Sequence, residues 1–233
     1  MEVQFANRVA EIRKSITISL AMLASLGIAH AVEAQTRRPA SMSRSPLALD
    51  VAGVRLGMPI AEARTALRGG WRCRPATASL SFAQQVADEV SKRRTGSTGR
   101  WGGGEAVESD DCTGPGGEKL RVGYAETAAG TVVDGFSLSL SHDRFVADDV
   151  RRGLLAKFGP PTIVRQDGGL WCDAGYRCDL AQVFVEGPKV ELLDNVYAVV
   201  VEGGRGNRAR KADAAAVMAA ADRQAPKRSG AAF

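Results

Sequence analysis

The sequence predicts an α+β fold, in which helices pack on one face of an antiparallel β-sheet. Residues 119–126 and 131–141 alternate apolar and polar side chains, which is typical of strands that bury one face. Residues 59–67, 147–158 and 207–223 instead place apolar or alanine residues at helical spacing. The 233-residue chain is 45% hydrophobic and 24% charged, a globular composition that excludes disorder over the whole chain.

The first structured segment is predicted to be a helix followed by a strand. Pro59 suits a first helical turn, and Ile60, Ala63 and Leu67 fall on one helical face. The pair Gly69-Gly70 is typical of a helix end. The strand is predicted to begin immediately afterwards, around residues 71–73.

Two contrasting segments follow this strand. Residues 79–92 place Phe82, Val86 and Val90 on one face, which predicts a second helix or a helical loop. Residues 95–117 are rich in glycine and predict a long flexible loop. We expect a disulfide at Cys112 to tie this loop to the rest of the domain.

A similar order of elements follows residue 142. Asp143 is a candidate N-cap for the helix, and Gly159 with the two prolines after it predicts the end of that helix. Apolar runs then predict three strands, and Gly187-Pro188 predicts a turn between the last two. These strands are predicted over residues 162–165, 180–186 and 190–201.

The two halves of the predicted fold resemble each other. Each runs as a helix, a glycine stop, a Trp-Cys cluster and strands, which indicates a possible tandem duplication of a helix-plus-meander unit. One continuous sheet is favoured slightly over two small domains, and the sequence leaves this open. The predicted boundaries are a linker over 35–48, a first half over 49–142, a second half over 143–223 and a disordered tail over 224–233.

Residues 1–34 have the pattern of a secretory signal peptide. A basic start precedes an apolar run from Ile16 to Ala29, and small residues allow cleavage near Ala31 or Ala34. A membrane anchor is the alternative, but the run is shorter than the roughly 20 residues that a spanning helix needs. We therefore expect a soluble periplasmic or secreted protein, with no transmembrane segment after cleavage.

The four cysteines of an exported chain predict two disulfides. Cys172 and Cys178 flank a turn-forming stretch, so we pair them with each other, which leaves Cys73 to pair with Cys112. Other pairings stay open. A four-thiolate zinc site is a further alternative, but the sequence lacks the C-x-x-C pairs that such sites usually show. We expect no metal and no cofactor.

The net charge of +5 is mild and lies partly in the two ends of the chain. Basic ends can contact anionic polymers of the cell envelope, which gives one alternative function. Aromatic residues are not interleaved with the basic ones, so a specific nucleic-acid site is not expected. Apart from His30 in the signal segment, His142 is the one histidine, which excludes a multi-histidine metal site.

One motif near the start of each half resembles a known family. Residues 53–67, GVRLGMPIAEARTAL, are similar to the opening of SmpA/OmlA-type outer-membrane lipoproteins and of β-lactamase-inhibitor-protein repeats. Residues 148–162 resemble the helix end of the same unit. The resemblance implies a small α/β module that docks on other proteins. The chain lacks a lipid-attachment cysteine, and no binding residue can be transferred from the family.

Catalytic patterns are weak in this sequence. His142 with Ser139 or Ser141 would suit a hydrolase, but no G-x-S-x-G elbow is present. The acidic pairs 110–111 and 148–149 are predicted to lie in a loop and in a first helical turn, where neither has the pattern of a glycosidase site. Hydrolysis through His142 therefore stays an alternative.

The favoured function is a non-enzymatic module that binds a protein or a component of the cell envelope. The predicted contact surface is the open face of the sheet together with loop 95–117. Trp101 is the main candidate for contact because an indole on an exposed loop is a common anchor at interfaces. Arg100 and Tyr176 are the other two candidate contact residues.

Overall fold

A computed structural model describes residues 45–97, 104–179, 185–195 and 197–225. The predicted signal peptide, most of the predicted linker and tail, and the candidate residues Arg100 and Trp101 lie outside these ranges. Most of the strand predicted over 180–186 lies outside them as well.

The described residues form one eight-stranded antiparallel sheet with four α-helices, which confirms the α+β prediction. The strand order is β1-β2-β3-β4-β8-β7-β6-β5, so the sheet is continuous across both halves. The helices are α1 (Ile60–Leu67), α2 (Phe82–Thr95), α3 (Ala147–Phe158) and α4 (Asn207–Gln224). The strands are β1 (Arg72–Ser79), β2 (Ala106–Thr113), β3 (Lys119–Thr127), β4 (Gly130–Ser141), β5 (Ile163–Arg165), β6 (Gly168–Cys172), β7 (Lys189–Asp194) and β8 (Ala198–Gly204).

The topology repeats one unit, a helix followed by four strands. Helix α1 precedes β1 to β4, and α3 precedes β5 to β8. The last strand of each unit, β4 or β8, pairs with the other at the centre of the sheet. The two units differ in their insertions, because α2 lies between β1 and β2, whereas a loop closed by a disulfide lies between β6 and β7.

Apolar side chains from alternate positions of the strands form the main core on one face of the sheet. Leu120, Val122 and Phe136 are buried there, together with Val199 and Val201 of β8. Helices α1 and α3 cover this face with Ala63, Leu67, Leu154 and Phe158. Helices α2 and α4 pack on each other instead, in a second, smaller core of Phe82, Val86, Val90, Val217, Ala220, Ala221 and Ala225.

Capping residues in the local sequence explain one end of α2 and one end of α3. The Ser81 hydroxyl accepts a hydrogen bond from the Gln84 amide, and the Gln84 side chain accepts one from the Ser81 amide, which is a capping box for α2. Gly159 follows α3 with a φ of 75°, a left-handed value that favours glycine. The prediction that Asp143 caps α3 is wrong, because the N-cap is Val146 and no side chain bonds there.

The prediction of a flexible loop over 95–117 is wrong for its second half. Residues 106–113 form β2, an interior strand that pairs with β1 on one side and β3 on the other. The composition of this strand resembles that of a loop because it contains three acidic residues, Glu108, Asp110 and Asp111. The strand tolerates Asp110 because Arg64 neutralises that buried carboxylate.

Several further element boundaries differ from the prediction. Residues 190–201 are not one strand but a hairpin of β7 and β8, and β6 was missed because it opens with two glycines. Residues 46–48 form a 3-10 turn in which Pro46 is buried, so the end of the predicted linker belongs to the fold. Helix α4 also runs one residue into the predicted tail, and Ala225 after it is buried.

All four cysteines form the two predicted disulfides, Cys73–Cys112 between β1 and β2 and Cys172–Cys178 between the end of β6 and the loop that follows it. The pairing uses every thiol that a zinc site would need. Two disulfides indicate an oxidising, extracytoplasmic environment. In the part of the chain that the structure describes, no helix has the length and apolarity to cross a membrane.

Candidate binding surface on the open face of the sheet

The face of the sheet opposite α1 and α3 carries polar side chains. Successive residues of a strand point to opposite faces, so Arg121 lies opposite the core side of Leu120 and Val122. Ser137 and Ser139 of β4 likewise alternate with core residues. The structure thus places on this face the serine stripe that the sequence pattern of β4 indicates.

A first cleft of about 800 Å³ lies on this face over the β1 side of the sheet. Its side chains are mostly cations and hydroxyls, and its floor is the backbone around the disulfide Cys73–Cys112. The polar lining consists of Arg72, Arg74, Asp111, Thr113, Lys119, Arg121, Ser137 and Ser139.

Four cations stand in two rows across this cleft, and we call them the basic quartet: Arg72, Arg74, Lys119 and Arg121. The strand register places Arg72, Thr113 and Lys119 in one row. It places Arg74, Asp111 and Arg121 in the other row. Arg121 lies 3.8 Å from Asp111, and both side chains are more than half exposed, so this pair adds little stability.

A second cleft of about 520 Å³ adjoins the first and shares Arg121 and Ser137 with it. Its floor is a row of three glycines that face one another across β3, β4 and β8, which we call the glycine track. Gly123 pairs with Gly135, and Gly135 pairs with Gly204. Glycine within a strand weakens the strand and often marks a β-bulge or the close approach of another molecule. The pairing of β3 with β4 shifts its register between Gly123 and Tyr124.

The fold itself requires only one of these three glycines. A Cβ atom at Gly135 would lie 2.8 Å from the Gly203 carbonyl oxygen, which is too close. A Cβ atom at Gly123 would come no nearer than 3.6 Å to another atom, and one at Gly204 no nearer than 3.9 Å. Side chains at 123 and 204 would therefore fit the fold and would occupy the cleft instead.

Ser109 extends the glycine track onto β2, opposite Gly123. It lines the second cleft, it is 1% exposed, and its hydroxyl has no hydrogen-bond partner among the described residues. A buried hydroxyl without a partner costs free energy unless water or a ligand satisfies it. Ser109 is thus a polar group at the cleft that a bound molecule can satisfy.

Charged pairs contribute side chains to the lining of the second cleft. Asp134, which lines the cleft, accepts hydrogen bonds from Arg205 at 3.0 Å and from Arg210 at 3.1 Å. Lys189, which also lines it, donates a hydrogen bond at 2.8 Å to the largely buried Glu191, which also bonds Arg165. Burial alone would raise the pKa of Glu191, but Lys189 and Arg165 outweigh it and lower that pKa.

The acidic pair Asp110 and Asp111 is divided between the two faces. Asp110 points into the core, where it accepts two hydrogen bonds from Arg64 at 2.8 and 2.9 Å and one from the Tyr124 hydroxyl at 2.7 Å. Burial raises the pKa of Asp110, but the bonds from Arg64 and Tyr124 outweigh it and lower that pKa. Two carboxylates on opposite faces cannot act on one glycosidic bond.

His142 lies at the end of β4, outside both clefts. Its Nε2 contacts the Asn195 carbonyl oxygen and lies 3.6 Å from Asp194. No hydrogen bond of the described residues joins His142 to a serine hydroxyl. The geometry therefore lacks the base-to-nucleophile contact that the hydrolase alternative needs.

Tyr176 is the one candidate contact residue that the structure describes. Its ring packs under the Arg208 guanidinium, 4.3 Å from the ring centre, and next to Gly187. The ring is half-buried in the second half of the chain. The structure does not bring Tyr176 into either cleft.

Sequence reasoning missed the basic quartet because its two pairs lie 45 residues apart in the chain. Each pair flanks a residue that points to the opposite face of the sheet: Arg72 and Arg74 flank Cys73, and Lys119 and Arg121 flank Leu120. The predicted disulfide between Cys73 and Cys112 is the signal that places the first pair beside the segment around Cys112, which in the structure is β2, the strand between the two pairs.

Comparisons with protein-family models, with curated proteins and with solved structures gave no match.

Proposed function

We propose that this protein is an exported, non-enzymatic binding module, and that the open face of its sheet binds a component of the cell envelope. The proposal includes removal of residues 1–34 as a signal peptide and a location in the periplasm or outside the cell. The two disulfides support export, because such bonds persist in oxidising compartments. The resemblance of residues 53–67 to envelope-associated modules is consistent with it.

One observation carries the proposal: in the part of the chain that the structure describes, the open face has two adjoining clefts that share Arg121 and Ser137. Gly123 and Gly204 leave space that the fold would allow side chains to fill. Along the same row, the hydroxyl of Ser109 is buried and has no hydrogen-bond partner among the described residues. A surface on which glycines weaken the strands and a buried hydroxyl lacks a hydrogen bond is typical of a ligand site.

Ser137 offers a direct test because it lines both clefts. We expect Ser137→Tyr to fill the centre of the surface while the strand persists, since tyrosine is favoured in strands. Ser141→Tyr is the matched control, because Ser141 lies on the same face of the same strand and lines neither cleft. Unchanged circular dichroism and melting temperature in both variants would establish that each is folded.

The measurement is retention of envelope material by the mature, oxidised protein on a column. The proposal predicts that the wild-type protein and Ser141→Tyr retain the same polymer or protein, and that Ser137→Tyr does not. Equal retention by all three proteins would place binding elsewhere, and the proposal would then be wrong. No retention by the wild-type protein would also contradict it.

A further inference from the structure

The basic quartet has more hydrogen-bond donors than the protein itself satisfies. Among the residues that the structure describes, Arg72 and Arg74 have no ion-pair or hydrogen-bond partner. Lys119 donates to the Thr113 hydroxyl at 2.9 Å, which leaves further protons on its ammonium group. All four side chains are exposed.

Charge on this part of the face is strongly unbalanced. Of the described residues that line the first cleft, four are cations and one, Asp111, is a carboxylate. That carboxylate lies 3.8 Å from Arg121, and the register places it between Arg121 and Arg74. The cleft as a whole therefore attracts anions, and the attraction is not cancelled locally.

The spacing of the quartet points to a ligand with several anionic groups. Arg72 and Arg74 are two residues apart on β1, a distance of about 7 Å along the strand. The pair on β3 lies two strands away, about 10 Å across the sheet. One phosphate or carboxylate does not fill an area of about 7 by 10 Å, whereas a chain with repeated charges can place an anionic group at each pair.

The chemistry of the lining favours phosphate over other anions and over a protein surface. Arginine binds phosphate through two parallel hydrogen bonds, and the hydroxyls of Thr113, Ser137 and Ser139 add further donors. A phosphate group accepts more hydrogen bonds than a carboxylate does. Among the described residues, the lining of the first cleft contains no aromatic residue, although aromatic residues anchor most protein interfaces and most single-stranded nucleic acids.

We infer that the basic quartet binds a linear, phosphate-bearing polymer of the cell envelope, which lies across strands β1 to β4. This inference rests on the proposed function and names the ligand of the same surface. The polymer would pass from the quartet over Ser137 towards the glycine track, where chain atoms can approach the backbone closely.

The test uses short inorganic polyphosphate as the probe and calorimetry at physiological ionic strength. The double variant Arg72→Gln/Arg74→Gln removes half of the quartet from an exposed edge strand. Lys92→Gln/Arg223→Gln is the matched control, because it removes the same charge from exposed positions on α2 and α4. Polygalacturonate, a carboxylate polymer, is the second probe.

We expect the quartet variant to bind polyphosphate at least about tenfold more weakly, and its affinity to depend less on salt concentration. The control variant should bind like the wild type, and polygalacturonate should bind more weakly than polyphosphate. Equal loss in both variants would show that only net charge matters and would overturn the inference. Equal or tighter binding of polygalacturonate would overturn the assignment to phosphate.

The outcome is separable from that of the proposed function. If Ser137→Tyr abolishes retention of envelope material but polyphosphate neither binds nor competes, the surface is a binding site for another ligand. In that case the inference about phosphate is wrong and the proposed function stands. If polyphosphate binding depends on the quartet and Ser137→Tyr still retains envelope material, the proposed function is wrong.

Discussion

Arg64 on α1 holds the buried carboxylate of Asp110 on β2 through two hydrogen bonds, of 2.8 and 2.9 Å. This contact fixes the helix of the first unit to an interior strand whose sequence otherwise resembles a loop. The opposite side of the same strand presents Asp111 to the basic quartet. One strand therefore contributes both to the core and to the proposed binding surface.

We predict that Asp110→Asn lowers the free energy of unfolding at pH 7 by about 2 kcal/mol, the usual contribution of hydrogen bonds to a charged group. Folding lowers the pKa of Asp110, so its ionised form stabilises the protein above about pH 4, and that stabilisation disappears as the pH falls further. Urea denaturation should show that the difference in the free energy of unfolding between wild type and variant becomes smaller from pH 7 to pH 3. A difference that stays constant over this range would contradict the stabilising role of the ionised Asp110.

The two disulfides should differ in their contribution to stability. Cys73–Cys112 closes a segment of 39 residues and Cys172–Cys178 one of 6. Replacing each pair with serine should lower the free energy of unfolding by about 4 and about 2 kcal/mol, respectively, on the loop-entropy model. Denaturation of the two double variants measures both values.

The first disulfide should also affect ligand binding, because it joins the edge strand β1 to β2 beneath Arg72 and Arg74. We predict weaker polyphosphate binding by Cys73→Ser/Cys112→Ser at a temperature where that variant is still folded. Cys172→Ser/Cys178→Ser is the control and should bind normally. An equal loss of polyphosphate binding in both variants would contradict a specific role of the first disulfide in binding.

Filling the glycine track should separate binding from stability. We predict that Gly123→Ala/Gly204→Ala is at least as stable as the wild type, since replacing a strand glycine by alanine gains about 0.5–1 kcal/mol per site. Binding of envelope material should fall, because the new methyl groups occupy the second cleft. Gly153→Ala in α3 is the control: it should also stabilise the protein, but without affecting binding. Loss of stability in the double variant would mean that the fold needs these glycines.

The identity of the first residue of the mature protein tests the prediction of export. We predict that protein recovered from the periplasm or the medium begins at Val32 or Gln35, after cleavage at Ala31 or Ala34. N-terminal sequencing reads this directly. An intact Met1 on a membrane-bound product would instead support the anchor.

Local patterns in the sequence were sufficient to predict several elements. Strands β3 and β4 alternate strictly, and α1, α3 and α4 have clear periodicity, so these elements and the α+β class follow from the sequence. Both disulfide pairings followed from the position of Cys172 and Cys178 around a turn.

Other features depend on contacts that one segment does not reveal. Strand β2 is hidden because the partners of Asp110, namely Arg64 and Tyr124, are distant in the chain. The open face was predicted as the contact surface, but the basic quartet requires the strand register and not merely the sequence. In the sequence, the hairpin of β7 and β8 has the pattern of one apolar run, because both strands bury apolar side chains.

The central claim is that ligand contacts the open face of the sheet, and site-specific photo-crosslinking in the intact cell envelope tests it most directly. A benzophenone side chain would replace Ser139 on the open face or Leu155 on the exposed side of α3, which is 39% exposed. The account predicts an adduct of increased mass from position 139 and none from position 155. An adduct from position 155 alone, or none from either position, would contradict it.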